Sequence, residues 1–333
     1  MPNAQCLGCY RPLDVPDQRY HARCSRKLFG TPGPPVVPFT EADILGLAEQ
    51  SVLRSATVAG VQTKLSLSLM HGKSSDSPDR FTILGVWGSH ILKPPTPNYP
   101  HMVELEDLTM HLAELSGIRT VPHGLLPMQD GTLAYITRRV DRLGKPGGRK
   151  VQKLHMEDMC QLTERQTEHK YRGSHEQIVK AIARHATNFQ LDIITFYEQV
   201  LFSFLTGNAD MHLKNFSLLH GSDGSIHLSP AYDLVPSALL INETEELALT
   251  LNGKNGKLSG SARNPASAGL IRADFETAMR AGGLNERAIG NLFNRFAKAL
   301  PKWKAFIPLG FVPEELKERY VELIDARAAR MGI

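Results

Sequence analysis

From residue 65 to 69, Leu65, Leu67 and Leu69 alternate with Ser66 and Ser68, a period of two that predicts a half-buried strand. Residues 81–87 and 90–93 read as two further strands divided by a Gly88-Ser89 turn, and residues 121–126 and 132–137 as a hairpin across Met128-Gln129-Asp130-Gly131. One helix precedes this strand-rich stretch and another interrupts it. Thr40 caps the first, over 41–49. The second, over 102–116, lines Leu108, Leu112 and Leu115 along one face and carries Glu104 and Glu106 near its start. From His155 the period becomes helical, over 157–162, 177–186 and 191–205, and the last stretch is apolar enough to predict burial almost all round. A hairpin over 216–219 and 226–228 comes next, then amphipathic helices over 274–281, 285–300 and 313–330. The reading is an α+β chain of two lobes, a small mixed β N-lobe over 39–148 and a mainly helical C-lobe over 149–333. Residues 1–38, a Cys-rich start and a Pro-rich linker (PGPPVVP), precede them.

Composition narrows the class. With 42% hydrophobic and 22% charged residues the chain is not a disordered one. No apolar run reaches the length of a membrane span. The start, MPNAQCLGCYRPL, lacks a secretory pattern, so a cytoplasmic protein with no membrane partner is expected. A net charge of +4 gives no strong direct nucleic-acid signal.

The chemistry concentrates between Gly207 and Asp233. Asp210 and Asn215 stand in an Asp-x4-Asn spacing, a short hairpin succeeds them, and Asp233 comes after it. Protein kinases use this order: one carboxylate orients the attacking hydroxyl, and an amide oxygen and a second carboxylate hold Mg²⁺ against the phosphates of ATP. Taken alone, the same residues also suit a polar loop whose acids cap turns. Lys93, at the end of a strand, is either the phosphate-binding cation or an edge lysine facing solvent. Glu106 is its expected partner. The hydroxyl-rich loop around Gly60 would cover phosphates, and adenine would lie against the backbone of Arg138 to Val140.

Several segments together resemble the HipA family of bacterial serine/threonine kinase toxins: TVAGVQTKLS, ILKPP, SGIRTVP, RRVDR, EDMCQ with a later HKY, GNADMHLKNFS and AYDLVPSA. The resemblance implies a protein-kinase-like fold, with Asp210 as the catalytic aspartate, Asn215 and Asp233 as Mg²⁺ ligands and Lys93 on the ATP phosphates. His212 and Lys214 would orient Asp210 or meet the γ-phosphate. Thr57, Val58, Ala59 and Gly60 would form the phosphate loop, with Thr57 as the autophosphorylated switch residue. The implied substrate is an aminoacyl-tRNA synthetase. The chain resembles the short HipT branch, whose target is the tryptophanyl enzyme and in which a small HipS-like antitoxin replaces an N-terminal subdomain. A HipB-like DNA-binding protein is the other implied partner. Two other readings stay open on residues alone: a small-molecule phosphotransferase, and a non-catalytic binding module.

Four cysteines, three near the N-terminus, do not form a disulfide framework in this setting. Cys6-x2-Cys9 and His21-x2-Cys24 supply four ligands that would close a structural zinc site, or else stand as reduced thiols and a surface imidazole in a loop-rich start.

Overall fold

The computed structural model describes residues 5–15, 17–40, 42–43, 64–72, 78–83, 88–146, 151–243, 245–254 and 269–333. The loop bearing Thr57, Val58, Ala59 and Gly60, most of the helix expected over 41–49 and the end of the strand expected over 81–87 lie outside the described residues. At the start of that helix, Thr40 N donates to Asp43 Oδ2 (2.8 Å) and Asp43 N donates to Thr40 Oγ1 (3.1 Å), the reciprocal pattern of an N-terminal cap. The chain forms two compact units, residues 1–107 with 121–153, and residues 108–120 with 154–333.

In the first unit, β1 (Leu65–Met70), β2 (Arg80–Ile83), β3 (His90–Lys93), β4 (His123–Pro127) and β5 (Leu133–Arg138) form one sheet in the order β2-β1-β3-β5-β4. Every pairing in it is antiparallel. Strands β2 and β3 do not pair across the Gly88-Ser89 turn; β1 lies between them and bonds both. The β4–β5 hairpin turns at Gly131, whose φ of 85° is one that glycine adopts without strain. A two-stranded ribbon, β6 (Arg142–Leu143) with β7 (Gln152–Lys153), completes the unit's strands.

The sequence sets residues 1–38 apart by their Pro-rich stretch, yet in the fold they belong to the sheet's own unit. Helix α1 (Ala22–Phe29) buries Leu28 and Phe29, and Phe29 packs on Phe81 and His90. Both outer strands are bonded by this segment. At β4, Leu125 N donates to Leu7 O (3.1 Å) and Tyr20 OH donates to Leu125 O (2.6 Å). At β2, Phe81 N donates to Val36 O (2.9 Å), and Val36 N donates to Asp79 O (2.8 Å). Gly124 lets the segment approach: a Cβ there would stand 2.6 Å from the Tyr20 hydroxyl. This cover explains why four consecutive residues of β4 are buried rather than alternating.

Helix α2 (Met102–Leu115) begins in the first unit and ends in the second. The second unit adds β8 (Met156–Asp158), α3 (Met159–Leu162), α4 (His175–His185), α5 (Phe189–Thr206), β9 (Ser217–His220) and β10 (Ile226–Leu228). It closes with α6 (Arg272–Ala281), α7 (Glu286–Phe306) and α8 (Glu314–Met331). The segment expected to be helical from Glu157 opens instead as β8, because residues 156–158 pair with β9; Asp158 then caps α3 through a reciprocal bond with Gln161. The core is aromatic: Phe202 and Phe296 pack on Trp303, Phe204 on Phe275, and Phe196 on Phe216. Helix α7 runs past Pro301, where a helix ordinarily stops. The fully buried Trp303 holds the continuation, its indole N–H reaching Leu112 O (2.9 Å) and Ser116 Oγ (3.0 Å). Helix α5 is buried throughout 196–206, but its first turn is not, with Leu191 65% exposed. No helix among the described residues is long and apolar enough to cross a membrane.

Candidate active site

The buried end of α5 delivers the chain to Gly207, whose φ of 78° ends the helix in the left-handed conformation. Asn208 N donates back to Ser203 O (2.8 Å), so the turn leaves a buried helix with no slack. The loop from Asn208 to Asn215 is pinned by its own side chains and by Ser237. Ala209 N donates to Ser237 Oγ (3.0 Å), Asp210 N to Asn208 Oδ1 (3.1 Å), and Asn215 Nδ2 to the carbonyl of Asp210 (3.0 Å). Because that carbonyl can only accept, the amide nitrogen of Asn215 is committed to it and the amide oxygen is turned elsewhere. Asn208 and Asn215 are buried, while Asp210 is exposed.

Tyr171 donates its hydroxyl to Asp210 Oδ1 at 2.6 Å. Burial, and then the Asp210 carboxylate, push the Tyr171 phenol well above its ordinary range, so it stays a donor. Its ring meets His212 edge-on at 5.1 Å, and Leu213 N bonds Lys170 O (3.1 Å), which fastens this segment to the loop. Burial lowers the His212 imidazole to about 4, against the pull of Asp210, so at neutral pH it carries no charge. Its Nδ1 has no hydrogen-bond partner among the described residues. Lys214 turns to Asp158, with Nζ 2.6 Å from Oδ2. Tyr171, Asn208 and Asp158 were not singled out from the sequence. The signal was there in HKY, GNAD and EDMCQ, but only the fold supplies their partners.

Asp233 holds a φ of 56°, a left-handed conformation that a non-glycine residue keeps only where its surroundings impose it. The residue before it is anchored twice. Tyr232 OH donates to Lys214 O (3.0 Å) and bonds Ser217 Oγ (2.6 Å), tying this strand end to the Asp210–Asn215 loop. Strands β9 and β10 carry the chain between the two, as antiparallel partners.

In the first unit, Lys93 Nζ lies 2.6 Å from Glu106 Oε1, and the two side chains are 3% and 0% exposed. Lys93 is thus no solvent-facing edge lysine: β3 sits inside the sheet, opposite Tyr135 of β5. At the end of β5, Arg138 N donates to Pro122 O (2.9 Å) and Arg139 N to Ser89 O (3.0 Å), so these two N–H groups are spent within the unit. Arg138 Nη2 reaches Gly144 O (2.8 Å), and Val140 is half-buried. Arg139 grips Asp141 with two bonds of 3.0 Å, and Arg142 closes on the same carboxylate; the two guanidiniums outweigh burial and hold the carboxyl below its usual range.

Known proteins resemble this chain in sequence and in architecture. A putative kinase of Sinorhizobium fredii, Y4mE, is 30% identical over 214 residues, 62% of this chain and 48% of the relative. The serine/threonine-protein kinase toxin HipA of Shewanella oneidensis is 28% identical over 213 residues, 59% of this chain and 46% of the relative. This chain therefore spans about half the length of those two relatives. Among solved structures, the Shewanella oneidensis MR-1 complex of HipA, HipB and operator DNA matches with a TM-score of 0.66 at 22% identity, over 90% of this chain and 72% of that one. That likeness establishes a protein-kinase-like α+β fold. The model of the HipA-like C-terminal domain matches residues 56–304, more than half of the chain and the whole stretch from Thr57 to beyond Asp233. By that match the chain belongs to the HipA-like C-terminal domain family.

Proposed function

We propose that the chain is an ATP- and Mg²⁺-dependent serine/threonine protein kinase, the toxin of a toxin–antitoxin module. The observation that carries this reading is the loop after Gly207, which offers an exposed Asp210 carboxylate on a backbone fixed by Asn208 and Asn215. Asp210 accepts or orients the proton of the attacking hydroxyl; Tyr171 fixes the carboxylate's rotamer, and the uncharged His212 packs against that tyrosine. The amide oxygen of Asn215 and the carboxylate of Asp233 are hard oxygen donors of the kind Mg²⁺ takes. Bound with ATP, the metal neutralises charge on the transferred phosphoryl group. Lys93, steadied by Glu106, meets the phosphates. Arg138 to Val140 face the adenine, and the loop from Thr57 to Gly60 covers the phosphates, with Thr57 as its autophosphorylation site.

By likeness to the family, the substrate is an aminoacyl-tRNA synthetase, the tryptophanyl enzyme for the short HipT branch, so that translation stops. A small HipS-like antitoxin and a HipB-like DNA-binding protein are the partners we propose. The test is phosphate transfer from labelled ATP into a cell extract. Asp210→Asn and Asp233→Asn should each abolish labelling while leaving the thermal transition in place. Full labelling by both variants overturns the mechanism. Mass spectrometry of the labelled band then names the substrate.

A further inference from the structure

The N-terminal segment takes no part in the phosphoryl chemistry above, yet it gathers a second set of reactive groups. Cys6, Cys9, His21 and Cys24 bring one ligand atom each to within 4.8 Å of all the others, and the three cysteines are free. Cys9 and Tyr10 both donate their N–H to the carbonyl of Cys6 (3.3 and 2.8 Å), a turn that sets Cys6 and Cys9 side by side. Cys24 comes from the first turn of α1 and His21 from the residue before that helix. The Cys9 Sγ to His21 Nδ1 separation is 3.4 Å. Tetrahedral zinc, with bonds of about 2.3 Å to sulfur and about 2.0–2.1 Å to nitrogen, places such a pair about 3.6 Å apart.

The imidazole is already set for the purpose. His21 Nε2 lies 3.0 Å from the carbonyl of Pro12, and a carbonyl only accepts, so Nε2 carries the proton and Nδ1 turns its lone pair toward the thiols. An outer contact of this kind is what orients metal-bound histidines. His21 N also donates to Cys6 Sγ (3.3 Å), which holds the two proposed ligands side by side.

We propose that Cys6, Cys9, His21 and Cys24 bind one Zn²⁺ and that this ion fixes the N-terminal segment on the sheet of the first unit. The residues interleaved with the ligands are the ones that make the attachment. Leu7 and Tyr20 bond β4, and Tyr10 donates its hydroxyl to Asp107 Oδ2 (2.9 Å), one residue after Glu106 on α2. The ion joins these contacts, because each lies within a few residues of a ligand. Tyr10 itself sits at a φ of 60°, a conformation the Cys6–Cys9 turn holds in place.

The experiment uses the full chain purified in zinc-containing buffer and then freed of loose metal. Elemental analysis should find about one equivalent of zinc, falling below about one-tenth in Cys24→Ser together with a lower melting temperature. Cobalt exchanged into the parent should give the visible absorption of a tetrahedral site with three sulfurs and one nitrogen. His21→Cys should keep one equivalent and shift that spectrum to the four-sulfur form, so the assignment remains testable if Cys24→Ser does not fold. His155→Ala, which alters the His155–Glu157–His220 cluster of the second unit, should keep the ion. Zinc below about one-tenth equivalent in the parent, or a full equivalent retained by Cys24→Ser, overturns the proposal.

Discussion

The Lys93–Glu106 pair separates stability from chemistry, and one single and one paired replacement measure both. The ion pair is almost wholly out of water, with a 2.6 Å contact. Glu106→Gln removes one charge from a pair buried together, which costs about 3–5 kcal/mol by precedent for buried pairs. At about 2–4 °C per kcal/mol for a unit of this size, the melting temperature should fall by roughly 6–20 °C. Replacing both partners by apolar side chains, Lys93→Met with Glu106→Leu, removes both charges from the interior. That exchange is often neutral or stabilising, so the double variant should recover to within about 1–2 kcal/mol of the parent. Phosphate transfer should not recover with it, because the cation for the phosphates is gone. Urea denaturation followed by fluorescence gives the stabilities, and labelled ATP gives the transfer. A double variant that is stable and transfers phosphate would refute the role given to Lys93. A Glu106→Gln variant as stable as the parent would refute the energetic argument.

Burial and backbone geometry lead to two more expected outcomes. His90, His175 and His212 are each lowered to about 4, in every case chiefly by burial, whereas an unfolded histidine titrates near 6.5. Between those values the unfolded chain binds protons that the folded chain does not, so stability is complete above about pH 6.5 and is lost as the pH falls toward 4. Each histidine accounts for up to about 3 kcal/mol of that loss; equal urea midpoints at about pH 7 and pH 4.5 would contradict it. Gly207→Ala places a Cβ 2.5 Å from Leu323 Cδ2 at a φ of 78°, and should cost about 1–3 kcal/mol and slow transfer by shifting Asp210. A parent-like melting temperature and rate in that variant would show that the turn yields.

Much of the fold was legible in the residues, for reasons that differ by element. The period-two run at Leu65–Leu69 and the helical period of α4, α6 and α8 are local signals, and the strands and helices lie within a few residues of where the pattern puts them. Strand β8 was not legible, since three residues of Met-Glu-Asp carry no period and become a strand only by pairing with β9. Sheet order failed likewise: nothing local says that β1 separates β2 from β3. In the site, spacing picked out Asp210, Asn215 and Asp233, but Tyr171 meets Asp210 across 39 residues of sequence, and such a contact has no local signature. The Pro-rich stretch around Val36 read as a spacer because proline lacks an N–H, whereas Val36 between the prolines supplies both groups needed to bond β2.

The way the N-terminal segment bonds both outer strands sets an order of events during synthesis. Tyr20 must wait for Leu125, 105 residues downstream, and Val36 for residues 79–81, so the segment is made well before the strands it docks on. Until it docks, β2 and β4 offer two rows of unanswered N–H and C=O groups, the template on which foreign strands add. The same holds whenever the segment is removed by cleavage. The segment from Leu7 to Val36 therefore acts as a built-in guard against self-association, and a chain cut short of it should be recognised less by lost chemistry than by the fibrous or swapped species it leaves behind.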